Sequence, residues 1–148
     1  MPVKYTVKWN NNIYDNIIDV RTPAEYKEDH IPGSINLPVL NNKQRIVIGT
    51  IYKKENPFKA KKIGAAFVAQ NISMHLKKKL INMPGNWKPL IYCWRGGQRS
   101  KSMATILSEI GWQVTILKGG YKTYRSNVNI EISRLTRSAN FIASVMSE

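Results

Sequence analysis

Several things are scarce in this 148-residue chain. It has one cysteine, Cys93, which excludes an internal disulfide framework and any Cys-rich zinc site. Its two histidines, His30 and His75, are too few and too scattered to suggest a metal. No apolar run approaches the roughly 20 residues that span a bilayer, so no membrane partner is expected. The first residues, Met1 to Trp9, lack the apolar centre of a signal peptide, which points away from secretion and toward a reducing cytoplasm. Internal repeats and low-complexity linkers are also missing. The length suits one domain, and 43% apolar residues suffice for one core.

Acidic residues are the other shortage. Lys and Arg number 23 against 9 Asp and Glu, giving a formal charge of +14. The imbalance begins at Lys59: from there on, 15 basic residues face 3 acidic ones. Lys59, Lys61 and Lys62 form one cluster and Lys77, Lys78 and Lys79 another. Such a field attracts polyanions and speeds their approach. The plain alternative is a solvated lysine surface.

Short apolar runs alternate with helical patterns, which predicts an α/β fold with a central, mainly parallel sheet. Strands are expected within Val3–Trp9, Ile17–Val20, Ser34–Leu37, Pro89–Cys93 and Gln113–Leu117, with a turn at residues 10–12. Helices are expected from Pro23 to Glu28, from Asn42 to about Lys54, from Lys59 to Ile81, and from a Ser100 cap through Ile110. In the third, Ile63, Ala66 and Phe67 share one face and Ile72, Leu76 and Leu80 another. In the fourth, Met103, Ala104, Ile106, Leu107 and Ile110 mark the buried side, and Gly111 stops the helix. Gly119-Gly120 turns into a short helix. Residues 127–148 then carry Val128, Ile132, Leu135, Ala139, Ile142 and Met146 at amphipathic spacing. The first expectation is that this stripe packs on its own domain. The alternative is a surface for a partner or a further domain.

The chemistry concentrates in Cys93-Trp94-Arg95-Gly96-Gly97-Gln98-Arg99-Ser100. A cysteine at the end of a buried strand, a Gly-Gly loop and a helix start place a thiol where α/β sheets bind ligands. Curled backbone N–H groups, the helix dipole, Arg95 and Arg99 all favour the thiolate, so Cys93 is expected to be nucleophilic. The same loop suits an anion over the sulfur, held by Arg99. Trp94 is a packing residue or a lid. Asp19 and Arg21 are read as a structural ion pair beside the site, and His30 as a turn residue.

Asp19-Val20-Arg21-Thr22-Pro23-Ala24-Glu25-Tyr26 and His30-Ile31-Pro32-Gly33-Ser34-Ile35-Asn36 resemble the N-terminal signature of rhodanese-like sulfurtransferase domains. The Cys93 loop resembles that family's active-site loop, and Gly119-Gly120-Tyr121 its last signature. A narrower resemblance lies in Leu37-Pro38, Asn41-Asn42, Arg45 and Gly49 to Lys53. Cys93 to Ser100 and Gly119 to Lys122 add to it. These are similar to the rhodanese domain of tRNA 2-selenouridine synthases. The resemblance implies a three-layer fold over residues 1–126, leading through the 127–148 helix to a P-loop domain. It implies exchange of sulfur for selenium in tRNA 2-thiouridine, through a Cys93 persulfide or perselenide and a geranylated tRNA intermediate. Selenophosphate or a sulfur donor is the co-substrate, no cofactor is bound, and tRNA is the partner. No Gly-x-x-x-x-Gly-Lys-Ser/Thr loop occurs in this sequence, so the full synthase reaction is not expected of it alone.

Two other classes stay open. Cys93 and Arg99 fit Cys-x5-Arg, the phosphate loop of cysteine phosphatases, with Arg99 bidentate to phosphate. Against this, Tyr92 replaces the usual His, and the loop has no Asp or Glu as general acid. A non-catalytic tRNA-binding or docking module would use the basic half alone.

Overall fold

The computed structural model describes residues 2–10 and 12–146. Asn11, in the expected turn, and Ser147 and Glu148, at the end of the expected helix, lie outside the described residues. Five parallel strands form one sheet: β1 (Lys4–Thr6), β2 (Asn16–Asp19), β3 (Ile35–Asn36), β4 (Pro89–Tyr92) and β5 (Thr115–Leu117), in the spatial order β1-β5-β4-β2-β3. Parallel sheets are covered on both faces, so their strands read as continuous apolar runs. β4, the middle strand, is buried at all four residues. Its proline stands first, where a missing N–H is tolerated.

Alternation along the strands divides the core. Ile18, Ile91, Cys93 and Ile116 point to the side of Ile72, Met103, Ala104 and Leu107. Leu90, Tyr92 and Leu117 point to the side of Ile31, Tyr121 and Tyr124. The helices that cover these faces have readable starts. α1 (Pro23–Glu28) opens with a Thr22/Glu25 capping box and Pro23, and α2 (Asn42–Lys54) with an Asn41/Gln44 box. Asn56 caps α3 (Pro57–His75), which continues into one π-helical turn, Leu76–Leu80. Of its two apolar faces, the one with Ile72 and Leu80 meets the core; Ala66 stays exposed.

Four expectations need correction. α4 (Gln98–Ile110) starts at Gly97 without a side-chain cap, so Ser100 lies inside the helix, buried. Ile110 is exposed, because the buried arc of α4 runs along Met103, Ala104, Leu107 and Ser108. The helix after Gly119 is not short: α5 runs unbroken from Gly120 to Met146, through the 126/127 boundary. Its apolar stripe packs on this domain at Val128 but not beyond it. Tyr121 and Tyr124 are buried, whereas Ile132, Leu135 and Ile142 are more than half exposed. The sheet is too short to reach beneath them. Among the described residues, no helix is long and apolar enough to cross a membrane.

Candidate active site

All five strands point their carboxyl ends to one edge, and Cys93 follows the central one directly. Its side chain is buried, and its Sγ accepts the Gly97 N–H at 3.2 Å and meets the Ser100 hydroxyl at 3.2 Å. The loop therefore closes on the sulfur. Ser100, placed one turn inside α4, also donates to the Gly97 carbonyl at 3.1 Å.

The loop is held from below by α5. The first N–H groups of a helix have no partner within it. Here Tyr121 N–H donates to the Cys93 carbonyl at 2.8 Å and Lys122 N–H to the Trp94 carbonyl at 3.1 Å. This approach requires glycine. A Cβ on Gly120, whose φ is +59°, would sit 2.4 Å from the Cys93 carbonyl oxygen and 2.8 Å from the Gly96 nitrogen. Gly119-Gly120 and the Cys93 loop are thus two halves of one structure, although the chain separates them.

Asp19 and Arg21 form the expected ion pair, buried at 2.8 Å at the end of β2. Arg21 also donates to the Asp29 carbonyl at 2.7 Å, which ties the end of α1 to the sheet. Tyr92 fixes the next turn: its buried hydroxyl accepts the Ile31 N–H at 3.1 Å and meets Ser34 at 3.2 Å. Burial pushes that phenol well above its ordinary range. His30 is a turn residue as read, stacked on Tyr26 and bonded to its carbonyl.

Arg99 departs from expectation. Its fork does not stand open to an anion but takes both oxygens of Glu25, at 2.8 and 3.3 Å. Glu25 also accepts from Thr22 and faces Arg45 at 3.4 Å, so one carboxylate ties α1, α2 and α4. The Thr22-x-x-Glu25 spacing announces the cap; the link to Arg99, 74 residues away, leaves no local signal. Burial alone would raise the Glu25 carboxyl. Arg99, Thr22 and Arg45 outweigh it and hold the pKa at about 2. A depressed carboxyl stabilises fully above its ordinary 4.5, and that stability fades as pH falls toward 2. Arg99→Ala is expected to cost about 1–3 kcal/mol in urea unfolding at neutral pH. It should also raise the Glu25 pKa in an NMR titration, with Arg99→Lys restoring only part. An unchanged Glu25 titration in Arg99→Ala would remove this role.

Arg95 is exposed, and Trp94 lies 40% exposed over the loop. Trp94 and Arg21 line a cavity of about 240 Å³ with Tyr121, Glu25, Glu28 and Asp29. The sequence reading missed Tyr121, Glu25 and Asp29. The Tyr121 hydroxyl donates to Asp29. Burial and that bond lift the phenol to about 12, and the same bond holds the Asp29 carboxyl below its usual value. The six lysines are all exposed along α3 and its π turn, outside this cavity. Lys59 pairs with Glu55 at 2.7 Å and Lys62 covers the Phe58 ring.

A search of curated proteins finds tRNA 2-selenouridine synthases. That of Sulfurovum sp. (strain NBC37-1) is 37% identical over 74% of this chain and 30% of its own length. That of Nitrosomonas europaea is 33% identical over 81% of this chain and 31% of its own. The chain thus spans about a third of the length of these relatives. A solved structure, the N-terminal domain of a Clostridium difficile 630 protein described as ATP/GTP binding, superposes with TM-score 0.65 at 39% identity. It covers 76% of this chain and 87% of that one. The rhodanese-like domain model matches residues 5–127, which contain all of the sheet but Lys4, the Cys93 loop and the α5 start that pins it. On that match, and on a fold and loop that agree with it, the chain belongs to the rhodanese-like domain family.

Proposed function

We propose that this chain carries sulfur or selenium on Cys93, as a persulfide or perselenide, for conversion of tRNA 2-thiouridine to 2-selenouridine. The observation that carries the reading is the Cys93 sulfur itself. It ends the central strand inside a closed loop, facing the Gly97 N–H and the Ser100 hydroxyl. With a thiosulfate-type donor, the thiolate attacks the outer sulfur. The donor's S–S bond breaks and sulfite leaves with the electron pair. The persulfide left behind is an anion, which the N–H group suits. No bound cofactor enters that step. Selenium loads in the same way from a selenosulfate-type donor, whose Se–S bond breaks as sulfite leaves. Selenophosphate, with selenium at the selenide level, is a co-substrate of the exchange on tRNA. A reducing cytoplasm keeps the lone thiol available. Mass spectrometry of the intact chain after incubation with donor tests the reading: one added sulfur or selenium atom supports it, and none refutes it.

The phosphatase alternative is disfavoured by Arg99, whose fork is already on Glu25. The named relatives support tRNA as substrate and, by their greater length, a separate P-loop domain as partner. The exposed α5 stripe at Ile132, Leu135 and Ile142 offers that domain a surface. Salt-sensitive tRNA binding is expected from Lys59, Lys61, Lys62 and Lys77 to Lys79. Replacing Lys77, Lys78 and Lys79 by Ala should flatten the slope of log affinity against log salt by up to about 2, at roughly 0.7 per phosphate. It should weaken all tRNAs alike, since these groups read no base. An unchanged slope would leave the cluster a solvated face.

A further inference from the structure

The cavity beside the Cys93 loop contains a feature that sulfur carriage leaves unused. Trp94 follows the nucleophile directly and keeps 40% of its surface exposed, although its ring is stacked on Tyr121 at 5.4 Å and 23°. The tryptophans that pack in the core of this chain, Trp87 and Trp112, are buried. Trp94 rests on a braced support. The Tyr121 hydroxyl is held by Asp29, and the Arg21 guanidinium lies 4.3 Å over its ring. Arg21 is fixed in turn by Asp19 and by the Asp29 carbonyl. The platform is therefore ordered before any ligand arrives, which lowers the entropic cost of stacking on it.

The rim of the cavity is acidic, with Glu25, Glu28 and Asp29. Glu25 is committed to Arg99 and Asp29 to Tyr121, whereas Glu28 is exposed and takes part in none of the hydrogen bonds or ion pairs described here. Carboxylates repel phosphate but accept N–H donors. An aromatic face beside an acceptor fits the base of a nucleotide and leaves the phosphates outside the acidic rim. Unstacked RNA bases are recognised in this way, by aromatic stacking and by hydrogen bonds to their edges.

We propose that Trp94 is the stacking platform for a single flipped-out uracil-type base, whose ring N–H is accepted by Glu28. This specificity role rests on the tRNA reading above. The test uses the full chain, an anticodon stem-loop containing 2-thiouridine, and free 2-thiouridine. Base protons of free 2-thiouridine should shift upfield on binding to the wild type and to Trp94→Phe, but not to Trp94→Ala. Stem-loop affinity should fall about tenfold or more in Trp94→Ala, within the range for one stacked base, and largely return in Trp94→Phe. The salt slope should stay unchanged, because stacking releases no counterions. Wild-type affinity in Trp94→Ala, with RNA binding intact, would overturn the platform and leave the tRNA reading standing. Absence of RNA binding in the wild type at low salt would overturn both.

Discussion

Replacing Cys93 by serine is expected to abolish loading of sulfur or selenium from any donor while leaving the chain folded. The substitution exchanges one atom. Serine retains a group that can accept the Gly97 N–H and meet Ser100, the two contacts that close the loop on the sulfur. What it removes is a nucleophile able to form a bond to a second chalcogen. Intact mass after donor treatment should therefore show one added atom in the wild type and none in Cys93→Ser. Thermal unfolding of the two should be similar. As Cys93 is the one cysteine in the sequence, a persistent mass increase in the serine variant would place the chemistry on another residue and end the carrier reading.

The second large effect is expected at Gly120, far from the sulfur in sequence. A Cβ there meets backbone on three sides: the Cys93 oxygen at 2.4 Å, the Gly96 nitrogen at 2.8 Å and the Trp94 carbonyl carbon at 2.9 Å. None of these is a side chain that can turn away. The positive φ of +59° adds the cost of a left-handed backbone. Together with overpacking, Gly120→Ala should lose about 3 kcal/mol or more. If α5 is pushed off, the Cys93 and Trp94 carbonyls lose their donors and the loop opens, so donor loading should fall with stability. Gly85 provides the comparison, since a Cβ there meets nothing within 4 Å. Gly85→Ala should stay within about 0.5 kcal/mol of the wild type. Equal urea midpoints for the two alanine variants would refute the close approach as the source of the effect.

Both predictions follow from the same loop, yet only the first was legible in the sequence. A cysteine after a buried strand, two glycines and a helix start lie within one short segment, and local rules apply to them. The proline start of α1 and the strand at Pro89 were readable for the same reason: each depends on a few neighbouring residues. The capping boxes at Thr22 and Asn41 went unread, and α3, expected from Lys59, starts at Pro57. The fit of Gly120 against Cys93 joins segments by packing, and no local pattern records it.

Arg99 shows the limit most clearly. By its spacing from Cys93 it is a phosphate-loop arginine; in the fold it faces a carboxylate from α1. The sequence cannot choose between an internal and an external anion, because the choice depends on where Glu25 lies after α1 packs beside α4. The C-terminal stripe is the reverse case. Its period makes a helix with an apolar face, but whether that face is covered depends on how far the rest of the fold reaches along it, and core packing reaches Val128. By itself the sequence determined the alternation of strands and helices, the placing of Cys93 between a buried strand and a glycine loop, and the charge asymmetry, since these arise from composition and short-range periodicity. Tertiary structure alone decided that Arg99 is held by Glu25, that Tyr121 braces Trp94 and that α5 leaves its stripe exposed. Each of these is a contact, or its absence, between elements whose distance in the chain says nothing about their distance in space.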